Sequence, residues 1–103
     1  MSVYANKIVT DHRKAAKKAA AIGAAIGDRM PLDSEWYEFS VASKYMLDCQ
    51  SMASFIPGLE DALRAEQNAI FNLAHATDEE GVQYSKDATR KAQAAIRKAV
   101  AGY

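Results

Sequence analysis

Apolar residues recur along this chain at intervals of three and four, the spacing that places side chains on one face of an α-helix. The chain has no sustained two-residue alternation and no hairpin dipeptide between β-branched runs, which are the signals of strands. Turn-forming residues divide the pattern into four segments. The sequence predicts four helices, over residues 3–27, 34–56 and 58–75 and from residue 77 to the end.

Helix 1 has a continuous apolar side made mostly of alanine. Its inward positions are Ala5, Ile8, His12, Ala15, Ala19, Ile22 and Ile26. Burial of apolar surface contributes roughly 25 cal/mol per Å², so a row of alanines holds a helix only where its neighbours approach closely. We interpret His12 as a histidine at the edge of the core.

Helix 2 carries the most large apolar side chains. One row with helical spacing is Phe39, Ala42, Met46, Cys49, Ala53 and Ile56, and Trp36, Tyr37, Val41, Tyr45, Met52 and Phe55 cover most of the remaining surface. A helix that is apolar nearly all round is typically surrounded by other helices. We therefore expect helix 2 to organise the core, with Asp33 or Ser34 as its N-cap.

Helices 3 and 4 each have one apolar side. In helix 3 the inward positions are Leu59, Leu63, Ile70 and Leu73; in helix 4 they are Val82, Ser85, Thr89, Ala92, Ile96, Ala99 and Tyr103. Thr77 followed three residues later by Glu80 predicts a capping box at the start of helix 4.

The short connections between these helices favour antiparallel neighbours. The sequence thus predicts an all-α fold, a four-helix up-down bundle, with residues 1–103 forming a single helical domain. The alternative is a three-helix core from which helix 1 extends to meet another subunit.

The 13 basic and 13 acidic residues give a net charge of zero, but they are segregated. Residues 1–30 hold six basic and two acidic side chains, whereas residues 31–66 hold two basic and seven acidic ones. This asymmetry favours a match between opposite patches, within one chain or between two, at least as much as an external polyanion.

The cellular compartment is inferred from two features. We find no secretory signal and no uninterrupted apolar run long enough to span a membrane. A single cysteine, Cys49, forms no internal disulfide and fits a reducing environment. We expect a cytoplasmic protein.

The chain offers little for catalysis or metal binding. Cys49 lies in an apolar row, which favours an inert thiol. The residues three positions before His12 and His75 are Val9 and Asn72, so the Glu-x-x-His signature of di-iron bundles is absent. We interpret His75 as a partner of a helix C-terminus. We expect no enzyme activity, no metal or cofactor and no small-molecule substrate.

The favoured function is binding of another protein, or self-association into a homo-oligomer. The predicted contact surface combines the small-residue end of helix 1 with surplus aromatic residues of helix 2: Ala19, Ile22, Gly23, Ile26, Trp36, Tyr37 and Tyr45. Small helical bundles of this kind include regulators, inhibitors and assembly factors, an analogy drawn from fold alone.

The alternative function is that of a nucleic-acid-binding accessory protein. Basic residues form stripes on helices 1 and 4: Lys7, Arg13, Lys14, Lys17, Lys18, Lys86, Arg90 and Arg97. Such stripes can neutralise phosphates. No aromatic residue interleaves with them for base stacking, and the overall charge is zero. For this reason we rank nucleic acid second.

Overall fold

The structure, a computed structural model, describes residues 3–103. Its four α-helices are α1 (Val3–Ile26), α2 (Asp33–Ala53), α3 (Leu59–His75) and α4 (Glu79–Ala101). They alternate in direction, which confirms the predicted all-α, four-helix up-down bundle.

Helix α1 occupies the middle of the bundle. It packs extensively on α2 and on α3, and it also touches α4. The buried residues of α1 are mainly small, and this allows the close approach of α2 and α3 that the alanine pattern requires. They are Ala5, Ile8, Val9, His12, Ala15, Ala16, Ala19 and Ala20. Helix 1 thus belongs to the core, and the alternative of a three-helix core with an extended helix 1 is wrong.

Helices α2 and α4 lie at opposite edges of the molecule. Each packs mainly on one central helix, α2 on α1 and α4 on α3, with smaller contacts of α2 to α3 and of α4 to α1. The two edge helices make no contact with each other within residues 3–103. The Cα atoms accordingly span 43 × 32 × 16 Å, a flattened bundle. An edge helix has neighbours on one side only, so its other side faces solvent.

The prediction that α2 organises the core is wrong. Its buried side chains are Ala42, Met46, Cys49, Gln50 and Ala53. Phe39 packs against the core. Trp36, Tyr37, Tyr45 and most of the other large apolar residues of α2 are exposed, because α1 takes the central position. The helix also ends at Ala53, and Ile56 reaches the core from the following turn.

Within residues 3–103, most of the buried apolar residues belong to two clusters. One joins the first turns of α1 to the end of α2, the start of α3 and the end of α4, and includes Ile8, Ala53, Leu63 and Ile96. The other joins the middle of α1 to α2 and includes Ala16 and Met46, with Phe39, Ile70 and Phe71 packed against it. Polar residues at the level of His12 lie between them.

Two helix starts differ in detail from the sequence prediction. In α4 the N-cap is Asp78, whose carboxylate accepts a hydrogen bond from the Gly81 N–H at 2.7 Å, so a capping box from Thr77 is wrong. In α2 the Leu32 N–H donates to the Glu35 carboxylate at 2.9 Å, in place of a cap by Asp33 or Ser34.

Glu35 also ties the α1–α2 connection together. Arg29 donates to both of its carboxylate oxygens, at 2.8 and 2.5 Å. The hydrogen bonds from Arg29, and after them the one from Leu32, lower the pKa of Glu35 to about 2. The loop before α2 is thereby fixed by a pair that stays charged at physiological pH.

The ends of the inward rows are less buried than their periodicity predicts. Tyr103 lies beyond the end of α4 and is exposed, so its predicted inward position is wrong.

In residues 3–103 no helix has the length and apolar character needed to cross a membrane.

Gly23, in the last part of α1, and Gly27, directly after the helix, have different roles. A Cβ built on Gly23 would lie 3.6 Å from His75 Cε1 and 3.9 Å from Phe39 Cε2, which is ordinary van der Waals contact. Gly27 adopts a φ of +57°, a left-handed conformation that glycine favours at helix ends.

These two glycines give a matched pair of substitutions. Gly23→Ala should stabilise the fold by about 0.5–1 kcal/mol, because alanine is the better helix former and the new methyl group fits. Gly27→Ala should destabilise it by about 1 kcal/mol, because alanine is strained at positive φ. Urea unfolding followed by circular dichroism measures both changes. A loss of stability in Gly23→Ala would contradict the packing described here.

Candidate protein interface

A face of α2 that is exposed to solvent and borders α1 carries a row of large apolar side chains. At 100° per residue, Tyr37, Val41, Tyr45 and Met52 fall within an arc of about 80°. Tyr37 is 70% exposed, and Phe55, in the turn after the helix, is 78% exposed. We call Tyr37, Val41, Tyr45, Met52 and Phe55 the outer α2 stripe.

The outer α2 stripe is large for the surface of so small a domain. Aromatic side chains cover about 200 Å² each, so the exposed parts of its three aromatic residues amount to about 400 Å². The largest apolar patch on a soluble protein is typically about 300–600 Å², and such a patch is often functional. Within residues 3–103 the stripe borders α1 along one edge, but no helix covers it, because α4 lies at the opposite edge of the bundle.

Trp36 belongs to a different part of α2. It is 62% exposed, but one residue corresponds to 100° around a helix, so Trp36 points away from Tyr37 and shares its side of α2 with Leu47. The predicted aromatic contact surface thus divides between two sides of the helix. Tyr37 and Tyr45 lie in the outer α2 stripe, and Trp36 does not.

A groove between α1 and α2 borders the stripe. It measures about 260 Å³ and is lined by Asp11, Lys14, Ala15, Lys18, Val41, Ala42 and Tyr45. Two residues predicted to contact phosphate, Lys14 and Lys18, therefore lie next to Tyr45, which is predicted to contact protein. The edge of the stripe that faces α1 is basic.

The predicted small-residue surface of α1 lies mostly inside the fold. Ala19 is fully buried, and Ile22, Gly23 and Ile26 are partly buried. Gly23 faces Phe39 of α2 and His75 of α3. The close neighbours that this stretch requires are therefore α2 and α3, and Ala19 has no surface to offer to another molecule.

Some of the predicted phosphate-binding residues are already paired within the chain. Lys7 forms an ion pair with Asp11 at 2.9 Å, and Arg90 forms one with Asp87. Lys14, Lys17, Lys18, Lys86 and Arg97 are exposed.

The basic stripes of α1 and α4 meet at one groove. This groove, of about 540 Å³, is lined by Asn6, Val9, Thr10, Arg13, Gln93, Ile96, Arg97, Val100 and Ala101. Arg13 of α1 and Arg97 of α4 therefore lie on the same face, although Arg13 is also held by Glu66.

A buried polar layer crosses the centre of the bundle. Arg13 donates to the fully buried carboxylate of Glu66 at 2.8 and 2.9 Å, linking α1 to α3. The amide nitrogen of Gln50 in α2 lies 3.0 Å from His12 Nε2 and 2.6 Å from Gln67 Oε1. These contacts hold the register of three helices.

The protonation state of His12 follows from these contacts. Arg64 donates to the Gln50 oxygen at 3.2 Å, so the Gln50 amide nitrogen faces His12 and the ring Nε2 accepts its hydrogen bond. Burial lowers the pKa of His12, and the nearby Glu66 carboxylate opposes this shift. His12 is thus held as neutral imidazole with its proton on Nδ1.

The sequence prediction missed this layer. His12 is fully buried, so its interpretation as a histidine at the core edge is wrong. Glu66 occupies the inward position between Leu63 and Ile70, at the same three- and four-residue spacing. That spacing was the feature of the sequence from which the burial of Glu66 could have been predicted. His75 matches its interpretation, because its Nδ1 lies 2.8 Å from the carbonyl oxygen of Phe71 in the last turn of α3.

Cys49 is buried, and burial raises the pKa of its thiol, which disfavours the nucleophilic thiolate. Across residues 3–103, no group of three or more His, Cys, Asp or Glu side chains is placed to hold a metal ion.

Comparison of the chain with protein families, curated proteins and solved structures found no match.

The lowered pKa of His12 makes the fold sensitive to acid. Unfolded histidine binds a proton near pH 6.5 and folded His12 only at lower pH, so the free energy of unfolding should fall as the pH drops below about 6.5. His12→Gln should remove this part of the pH dependence, whereas His75→Gln, at an exposed position, should keep it. Urea unfolding between pH 8 and pH 5 measures the effect. An unchanged slope in His12→Gln would contradict the assignment.

Proposed function

We propose that this protein is a small non-enzymatic interaction module that binds another protein molecule through the outer α2 stripe. A regulator, an inhibitor and an assembly factor are the roles that fit such a module. The observation that supports the proposal is the exposure of a row of large apolar residues along one helix, from Tyr37 to Phe55.

Two properties of the stripe favour protein contact. Tyrosine combines a large apolar ring with a hydroxyl group and is among the residues that dominate binding energy at interfaces. The opposite face of α2 is fixed in the core by Ala42, Met46 and Cys49. The stripe is therefore presented on a rigid element, which lowers the entropy cost of binding.

The proposal includes a cytoplasmic location. It is supported by the single cysteine, Cys49, which is buried and unpaired and suits a reducing compartment.

A pair of tyrosines allows a matched test. Tyr37 on α2 and Tyr84 on α4 are both 70% exposed. With the photo-crosslinking residue p-benzoylphenylalanine at position 37, illumination of producing cells should yield a covalent adduct to a protein, identified by mass spectrometry. The same residue at position 84 should yield several-fold less.

The proposal fails if position 37 gives no protein adduct, or no more than position 84 gives. Circular dichroism of both variants checks that each is folded. Both positions are exposed, so neither replacement disturbs the core.

Nucleic-acid binding is the second candidate function. One observation favours it: the groove between α1 and α4 brings Arg13 and Arg97 to one face of the molecule. Against it, Arg13 neutralises the buried Glu66 carboxylate, and Lys7 and Arg90 are paired with acidic residues of their own helices. The lysines of α1 with no ion pair to the described residues are Lys14, Lys17 and Lys18.

Retention on heparin separates the two candidates. If phosphate binding is the function, the protein should bind at low salt and elute steeply as the salt concentration rises, and the Lys14, Lys17 and Lys18→Glu triple variant should not bind. We expect the protein to pass through the column even at low salt. Strong, salt-sensitive retention that the triple variant loses would favour the nucleic-acid function instead.

A further inference from the structure

We propose that the partner on the outer α2 stripe is a second copy of this chain, packed with the two α2 helices antiparallel. This inference rests on the proposed function, because it names the protein that the stripe binds. It is argued from the arrangement of charges and apolar residues along α2.

The charges on the outer side of α2 can pair with the same charges of a second, antiparallel copy. Lys44 and Asp48 are both exposed, and in one chain they form an ion pair of 3.1 Å at a spacing of four residues. Their midpoint is residue 46. An antiparallel two-fold axis near that residue places Lys44 of each copy at the level of Asp48 of the other, so the contact gains two attractive pairs.

The apolar residues of the stripe are distributed about the same midpoint. Tyr37 and Val41 lie on its N-terminal side, and Met52 and Phe55 lie on its C-terminal side. The same axis therefore sets the N-terminal half of one stripe against the C-terminal half of the other. Tyr45 lies close to the axis, where the two copies meet.

The side of α2 on which these residues lie is also consistent with a two-fold contact. The two-fold axis that relates two antiparallel α2 helices runs perpendicular to the plane that contains them. Each edge of the stripe in one copy therefore meets the same edge of the stripe in the other copy. With Tyr37 at 0° and Tyr45 at about 80° on the side that borders α1, Lys44 lies at about −20° and Asp48 at about 20°. Lys44 therefore flanks the stripe on the side remote from α1, and Asp48 lies within the stripe. The two-fold axis brings each of them to the level of the opposite charge in the other copy.

The size of the stripe suits a modest dimer interface. From Tyr37 to Phe55 it extends over about 27 Å at 1.5 Å per residue. A standard interface buries about 800 Å² on each partner, of which the three aromatic residues of the stripe supply about 400 Å². Each copy has a net charge of zero, although the same axis brings the basic edges of the two copies, with Lys14 and Lys18, toward each other. A contact of this kind closes on itself and leads to a dimer, not to a filament.

Charge reversal provides the test. Lys44→Glu alone sets a new carboxylate against Asp48 of the other copy twice, and Asp48→Lys alone sets two lysines together twice. Each variant should raise the dimer dissociation constant roughly tenfold or more. An equimolar mixture of the two variants should restore dimers as heterodimers, because both cross-pairs become attractive. Asp87→Lys, which reverses an exposed acid paired within α4, should leave the wild-type dimer unchanged.

Sedimentation velocity over a range of concentrations measures all four samples and the mixture. Recovery in the mixture cannot come from the ion pair within one chain, because neither variant retains it. A wild-type protein that remains monomeric up to millimolar concentration overturns the inference, and so does a mixture no heavier than its components.

Those outcomes are distinct from failure of the proposed function. A monomeric wild type whose position 37 still crosslinks to a different protein overturns self-association and leaves protein binding in place. Absence of any adduct at position 37 overturns both.

Discussion

Alanine side chains along α1 set how closely its neighbours approach, and through this the position of every other helix. Because Ala16 and Ala19 occupy little space, α2 and α3 can both pack against α1. A central helix with two close neighbours leaves α2 and α4 at opposite edges of a flattened bundle. The exposure of Tyr37 and Tyr45 follows from this arrangement, since α2 is covered on only one side.

The polar layer adds specificity to a core of small residues. A bundle lined by alanine has few large side chains to define its register, so helices can slide with little loss of contact. Arg13 pairs with Oε2 of Glu66, and Gln50 pairs with Nε2 of His12, which offsets part of the cost of burying these groups. Among the described residues, Glu66 Oε1 and His12 Nδ1 have no hydrogen-bond partner. A shift of one helix by a turn would separate the paired groups. We infer that they fix the register of α1, α2 and α3.

The periodicity of the sequence was sufficient to predict which side of α1, α3 and α4 faces the core, because each of these helices has one apolar side. Helix α2 has two, one through Ala42 and Met46 and the other through Tyr37 and Tyr45. Spacing does not show which of these faces the core, since that depends on how many neighbours the helix has. Glu66 was missed for a related reason: its inward spacing is visible, but its partner Arg13 lies 53 residues away.

Self-association through the outer α2 stripe is the proposed interaction on which the dimer depends. A dilution series of nitrogen–proton NMR spectra tests it directly, because the spectra locate any contact residue by residue. We expect that, between millimolar and low micromolar protein, signals of α2 from Tyr37 to Met52 shift while those of α4 stay in place. Spectra that do not change on dilution, or changes confined to α4, would contradict it.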